Sequence, residues 1–299
     1  MTYSIIGRDP GTGEIGIGVQ SRWFHAAQDL AWIEPGVGAV CTQAFLEPSY
    51  GQRGIELLRA GRTPAQALDE LLSLDEGRDS RQVAIADADG HFEQHTGSAC
   101  VLAAGHGTGR DCCAQGNMLA SEGCWDTMIE AFESTEGALT DRLLAALEAA
   151  EREGGDARGR QSAGILVRPA RSSGLPWQDR VLELGVVDHP DPVSELRRLL
   201  AVKRAYDALD RAIDLVGQGD LAAAAEQADA AQALAPADDQ ITFWRATMLA
   251  GAGRVEEAQA AWRDAVAAHP GWPDFLRRCI DAGLVPAEVG ALVDGDRPS

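Results

Sequence analysis

Chemistry in this chain could begin at Thr2, a hydroxyl residue directly behind the initiator Met1. A threonine hydroxyl is a weak nucleophile unless a base adjoins it, and a free α-amine on the same residue can be that base. An unperturbed α-amine has a pKa of about 7.7–8.0, so a useful fraction is neutral near pH 7. Aminopeptidases commonly remove Met before a small residue, which would make Thr2 the mature N-terminus. The competing reading is that Met-Thr is an ordinary start and Thr2 only the first residue of a strand.

Acyl transfer also needs donors aimed at the developing oxyanion. Gln115-Gly116-Asn117 lies between a strand region and a helix, where backbone amides and the Asn117 side chain can converge on one. A turn with a helix cap is the competing reading there. Arg158-Gly159-Arg160-Gln161-Ser162 leads into a core-type strand, where polar side chains must be paired. Arg160 could hold a substrate carboxylate bidentately or lower the pKa of the terminal amine. A solvated loop is an equally good reading for Arg158 and a poorer one for Arg160, Gln161 and Ser162. Gln20-Ser21 and Thr42-Gln43 place further polar residues at strand ends, and Asp9 is the nearest early carboxylate, at the site or only fixing a turn. The site expected is thus Thr2, Asn117 and Arg160, with Gln20, Ser21, Gln43, His95, Gln161 and Ser162 toward substrate.

A metal centre is not expected. His91 and His95 have i,i+4 spacing, but that spacing ligates zinc on a helix, and this segment reads as strand and turn. H-E-x-x-H, paired C-x-x-C and Asp-rich loops do not occur, and Gly105 to Arg110 lacks both the P-loop and the dinucleotide glycine spacing. No cofactor is called for either.

The elements that must position these residues follow from period and punctuation. Tyr3 to Asp9 and Ile15 to Val19 alternate as strands around the turn formers Pro10-Gly11-Thr12-Gly13, a hairpin. Gly36 to Ala44 reads as a buried small-residue strand, and Arg53 to Ala60 as a helix. A second helix starts from Thr63 with Pro64 at its first position. Strands are expected at Gln82 to Asp87, Phe92 to Gly97 and Cys100 to Ala104, with Gly105 to Gly109 a loop. Helices follow near Ser121 to Glu133 and Thr140 to Arg152, then strands at Ser162 to Arg168 and Arg180 to Val187. Strands, helices, strands, helices, strands suggest an α+β domain of stacked sheets with helices outside.

His189-Pro190-Asp191-Pro192 breaks the pattern, giving a first domain of residues 1–192 and a helical one of residues 193–299. In the latter, Gly219-Asp220-Leu221 recurs as Gly253-Arg254-Val255, Ala224 and Ala231 as Ala258 and Ala265, and Ala235-Pro236 as His269-Pro270. Every offset is the tetratricopeptide period of about 34 residues. About two repeats fit, fewer than the usual minimum of about three, so docking on the first domain, another subunit or a protein partner is expected.

The net charge of −20, from 26 basic and 46 acidic residues, argues against nucleic-acid and anionic-membrane partners. No apolar run approaches the ~20 residues that span a bilayer, and no basic segment precedes an apolar one at the N-terminus. With six cysteines, these features suggest a cytoplasmic protein with reduced thiols.

Thr2-Tyr3-Ser4-Ile5, Arg8-Asp9-Pro10, Gly18-Val19-Gln20-Ser21, Thr42-Gln43-Ala44, His95-Thr96-Gly97, Gln115-Gly116-Asn117-Met118-Leu119, Arg158 to Ser162 and Asp188 to Pro192 together form a distinctive set. In combination they resemble the bacterial and archaeal domain-of-unknown-function family 1028. The resemblance implies an N-terminal-nucleophile (Ntn) hydrolase fold, a four-layer αββα sandwich, and amide hydrolysis carried onto Thr2. Proteasome-type relatives use a lysine near the nucleophile, and here no lysine precedes Lys203. Acylase-type relatives use Arg, Asp and Asn, which Arg160, Asp9 and Asn117 could mimic. The reading is therefore an Ntn-type amidohydrolase, expected to self-associate, acting on a small amide or short peptide. Its alternative is a non-catalytic binding or scaffold protein on the same fold, with the helical repeats as docking surface.

Overall fold

The computed structural model describes residues 2–291. Its first strand, β1 (Thr2–Arg8), forms the expected hairpin with β2 (Ile15–Ser21). Asp9 fixes the turn, its Oδ1 accepting from the N–H groups of Gly11 at 2.7 Å and Thr12 at 3.1 Å. A strand of this length puts Asp9 roughly 20 Å from Thr2, at the opposite end of the sheet.

Next come α1 (Ala26–Leu30), β3 (Ala31–Glu34), β4 (Gly38–Ala44), α2 (Ser49–Arg59) and α3 (Pro64–Ser73). Thr63 caps α3 as its sequence suggests, in a reciprocal box with Gln66. Then follow β5 (Arg81–Asp87), β6 (Phe92–Thr96), β7 (Gly105–Thr108), β8 (Cys112–Asn117), α4 (Cys124–Ser134), α5 (Leu139–Arg152), β9 (Ser162–Arg168) and β10 (Leu182–Val186). Two corrections arise here. Cys100 to Ala104 is not a strand, and the glycine-rich segment expected as a loop is edge strand β7. Its glycines are needed because α4 lies close: a Cβ at Gly105 would overlap the Trp125 indole.

All strand pairs are antiparallel. One sheet runs β10-β9-β2-β1-β8-β7 and the other β3-β4-β5-β6. Between them, Ile6, Ile15, Ile17 and Val19 of the first sheet meet Ala39, Cys41, Ala84 and Ala86 of the second. Branched residues on one side and small ones on the other let the sheets close. The other face of the first sheet carries Gly7, Gly16 and Gly18, beneath Phe132, Leu143 and Leu147 of α4 and α5. Val40, Val83 and Ile85 pack the other face of the second sheet against Tyr50, Ile55, Leu58, Leu68 and Leu71 of α2 and α3.

The chain divides into two compact units between Arg197 and Arg198. That point lies inside helix α6 (Pro192–Gln218) rather than at the Pro-rich break before it. The second unit adds α7 (Leu221–Leu234), α8 (Asp239–Gly251), α9 (Val255–Ala268) and α10 (Trp272–Asp281). Gly219 and Gly253 take left-handed φ values of 81° and 76°, and α7 and α9 start two residues after each. Ala224, Ala231, Ala258 and Ala265 are all fully buried. Among the described residues no helix is long and apolar enough to cross a membrane.

Packing of α2 on β3 tests this arrangement. A Cβ at Gly51 would overlap the Trp32 indole, whereas Gly217 of α6 has open space around it. Gly51→Ala should destabilise by about 1–3 kcal/mol through overpacking. Gly217→Ala should stabilise by about 0.5–1 kcal/mol through helix propensity. Denaturant unfolding of the two variants checks both signs.

Candidate active site

Register brings the polar residues of four strands into one row. Thr2 pairs with Ser21 on β2 and with Asn117 on β8, and Ser21 pairs with Ser162 on β9. Directly paired residues share a face. Here it is the face toward the second sheet, since Ile6, two alternations from Thr2, packs there. Thr2 Oγ1 lies 2.9 Å from Ser21 Oγ, and both residues are buried.

Facing this row, the second sheet presents Gln43 and Gln82, paired across β4 and β5. Gln43 Nε2 donates to the Thr2 carbonyl at 3.2 Å and to Gln82 Oε1 at 2.7 Å, while its Oε1 accepts from Ser4 Oγ at 2.8 Å. Gln82 Oε1 also accepts from Asn117 Nδ2 at 3.0 Å. Its Nε2 donates to the carbonyls of Gly116 and Gly105, at 2.8 and 3.0 Å, and to Thr96 Oγ1 at 2.9 Å. Two main-chain carbonyls therefore fix which way the Gln82 amide points. Thr96 in turn lies 2.8 Å from His106 Nδ1, and burial and His95 lower the pKa of His106. Asn117 Oδ1 is buried without a hydrogen-bond partner among the described residues. Cys41, whose carbonyl takes Gln115 Nε2 at 3.1 Å, has its thiol pushed up to about 11 by burial, which keeps it protonated and unreactive.

Thr2 and Ser21 line a cleft of about 450 Å³. Trp23, Phe45 and Met118 supply apolar walls, and Asp29 and Arg158 supply charge. Trp23 and Phe45 are well exposed. Ala44, the last residue of β4, and Met118, the first after β8, take left-handed φ values of 69° and 53°. Non-glycine residues so held cost about 1–3 kcal/mol each and concentrate at functional sites. Both turns are tied down: Phe45 N–H donates to the Ser80 carbonyl at 3.2 Å and Met118 N–H to that of Val101 at 2.8 Å.

The expected site residues separate into those this cleft gathers and those it does not. Thr2, Ser21, Gln43 and Asn117 come together, with Gln43 and Asn117 as buried supports rather than cleft walls. Arg160 is a correction. Its guanidinium pairs with Glu151 and, at 3.5 Å, with Asp191, and it is not among the residues that line the cleft. Glu151 also accepts from the Tyr3 hydroxyl, whose pKa is raised by burial and by that carboxylate. Arg158, two residues earlier, is the arginine on the cleft.

Gln20 is a correction too. Alternation puts it on the helix-facing side with Gly16 and Gly18, where neither side-chain polar atom has a partner among the described residues. Ser162 Oγ is taken up structurally, donating to the Trp23 carbonyl at 2.6 Å and accepting from Ala26 N–H at 3.0 Å. His95 donates to the Arg78 carbonyl at 2.9 Å, and Gln161 to Asp188 at 3.2 Å, both away from the cleft. Sequence reasoning missed Gln82, Trp23, Asp29 and Phe45. A signal for Gln82 exists: it shares the parity of the inward-facing Ala84 and Ala86. Among the described residues no three His, Cys, Asp or Glu side chains converge as a metal would require.

Two buried glutamines should respond oppositely to loss of the amide. Gln82→Leu strands donors on Gln43 and Asn117 and acceptors on Gly105 and Gly116, at about 1–3 kcal/mol for each group left unsatisfied. Its total loss in denaturant unfolding should exceed about 3 kcal/mol. Gln20→Leu removes unpartnered polar atoms and should be neutral or stabilising.

Comparison with known proteins bears on the first unit. The family model described as "Family of unknown function (DUF1028)" matches residues 2–196. Among solved structures, protein SPO2555 from Silicibacter pomeroyi, whose title gives the same family, is 31% identical. The match has a TM-score of 0.59 and covers 67% of this chain and 87% of that one. No curated protein matches the chain. The match over residues 2–196 and the similarity to that crystal structure establish that the chain belongs to the DUF1028 family.

Proposed function

We propose that the first unit is an N-terminal-nucleophile amidohydrolase with Thr2 as nucleophile. One observation carries the reading: the leading residue of a central strand presents its hydroxyl, 2.9 Å from that of Ser21, to a walled cleft between two sheets. The fold reading behind it is the four-layer αββα Ntn sandwich. Support comes from two facing antiparallel sheets whose outer faces carry α4 with α5 and α2 with α3.

In the proposed reaction Met1 is first removed; that residue lies outside the described ones. Thr2 Oγ1 attacks the amide carbon while its proton passes to the freed α-amine. The C–N bond breaks as that proton reaches the leaving nitrogen, and water then hydrolyses the ester on Thr2. Asn117 takes a positioning role here, not the oxyanion role first expected. Its Nδ2 is engaged by Gln82, leaving Oδ1, across the strand pair from Thr2, to accept from the α-amine. The Ser21 hydroxyl, 2.9 Å from the reacting oxygen, can donate to it or accept from it. Arg158 replaces Arg160 as the cationic group on the cleft wall.

The engagement of Asn117 Nδ2 also favours a second reading, a binding protein on the same scaffold that turns nothing over. For the second unit we propose tetratricopeptide-like repeats, supported by the 34-residue recurrence of capping glycines and buried alanines, that dock a protein partner or a second copy. The six unpaired thiols support a cytoplasmic site of action.

Intact-mass measurement of the purified protein should show loss of Met1. Against a panel of small amides, Thr2→Ala should lower turnover about 10³-fold or more, and Thr2→Ser should retain part of it. Equal turnover by wild type and Thr2→Ala would overturn the catalytic reading. Ligand binding unchanged in Thr2→Ala, with no turnover by either protein, would establish the second reading.

A further inference from the structure

Among the described residues, one charged side chain on the Thr2 cleft lacks a counter-charge, and that bears on what the cleft takes. Arg158 has a carboxylate beside it: Asp156, whose side chain is fully buried, lies 3.3 Å from Arg158 Nη2 and 3.5 Å from Nε. Asp156 is held in place by the N–H groups of Arg22, at 2.8 Å, and Arg158, at 2.9 Å. Its charge offsets that of the guanidinium. Asp29, on α1, lines the same cleft, and among the described residues its carboxylate has no hydrogen-bond or ion-pair partner. Of these three side chains, Asp29 is thus the one left without an opposite charge beside it.

The surroundings of that charge suit a cation. Trp23 and Phe45 wall the same cleft, and aromatic faces attract ammonium groups. Asp29 and both rings are exposed, so an ammonium can reach the carboxylate and the ring faces from solvent. The chain's net charge of −20 acts in the same direction at long range, raising the local concentration of cations and repelling anions.

We propose that the substrate of this site is a small amide carrying a free ammonium group and an apolar side chain, an aminoacyl amide, with Asp29 binding the ammonium. The proposal rests on the amidohydrolase reading and specifies its substrate class. Thr2 Oγ1 would attack the aminoacyl carbonyl, the amine or ammonia leaves with the transferred proton, and water releases the free amino acid.

The test compares leucine p-nitroanilide with N-acetyl-leucine p-nitroanilide, which differ in the ammonium. Wild type, Asp29→Asn, Thr2→Ala and Glu256→Gln are assayed, the last being an equal loss of charge on α9 of the second unit. Wild type should prefer the cationic probe about 10–100-fold in kcat/KM, with the preference shrinking as salt rises. Asp29→Asn should bring that ratio close to one, whereas Glu256→Gln should keep it. Thr2-dependent turnover without preference for the cationic probe overturns this inference and leaves the hydrolase reading standing. A preference that Asp29→Asn does not reduce overturns the role of Asp29. Calorimetric binding of leucinamide and N-acetyl-leucinamide to Thr2→Ala decides the matter independently of catalysis. Tighter binding of leucinamide supports recognition of the ammonium, and equal or absent binding of both overturns it.

Discussion

The Thr2 end of this fold depends on one buried amide, that of Gln82. It joins the two sheets by accepting from Asn117 on one and Gln43 on the other, while its own nitrogen is committed to Gly105, Gly116 and Thr96. Hydrogen bonds are strong in such a low-dielectric layer, and an unpaired partner there is correspondingly expensive. The network consequently has few alternative arrangements. Gln43, held by Gln82, bonds the Thr2 carbonyl, which fixes the first residue of the first strand.

Elsewhere the same two sheets meet through hydrocarbon. Alternation brings Ile and Val from one to Ala and Cys from the other, until it reaches Ser4, Gln43, Gln82, Gln115 and Asn117. A polar layer cannot close as tightly, because each amide must find its partners. The space beyond becomes a cleft whose rim is set by Ala44 and Met118, two residues held at left-handed φ. Chemistry and packing thus divide the inter-sheet layer by composition alone.

Much of this could be read in the chain. Pro10-Gly11-Thr12-Gly13 announced the leading hairpin, Thr63 with Gln66 announced α3, and matching Gly, Ala and Pro at one offset announced paired helices. Strand β7 was hidden because its glycines make room for the indole of Trp125, which belongs to helix α4 rather than to the sheet. Side-chain direction was the harder matter. A period of two puts Gln20 and Ser21 on opposite faces, so only one could join Thr2, and register alone decides which. Arg158 and Arg160 differ by the carboxylates they meet, Asp156 for one and Glu151 with Asp191 for the other, and the latter pair are distant in sequence. Asp29 gave no local signal, since an exposed carboxylate on a short helix is ordinary until the fold sets it on the same cleft as Thr2.

The central claim is that the Thr2 hydroxyl is the reacting group. Its most direct test is covalent trapping: incubate the purified protein with an amide-mimicking electrophile such as a β-lactone, then map the added mass by peptide sequencing in a mass spectrometer. The account predicts one acyl group per chain, on Thr2, in molecules that have lost Met1. Labelling of another residue, or none in protein whose N-terminus is a free Thr2, would contradict it.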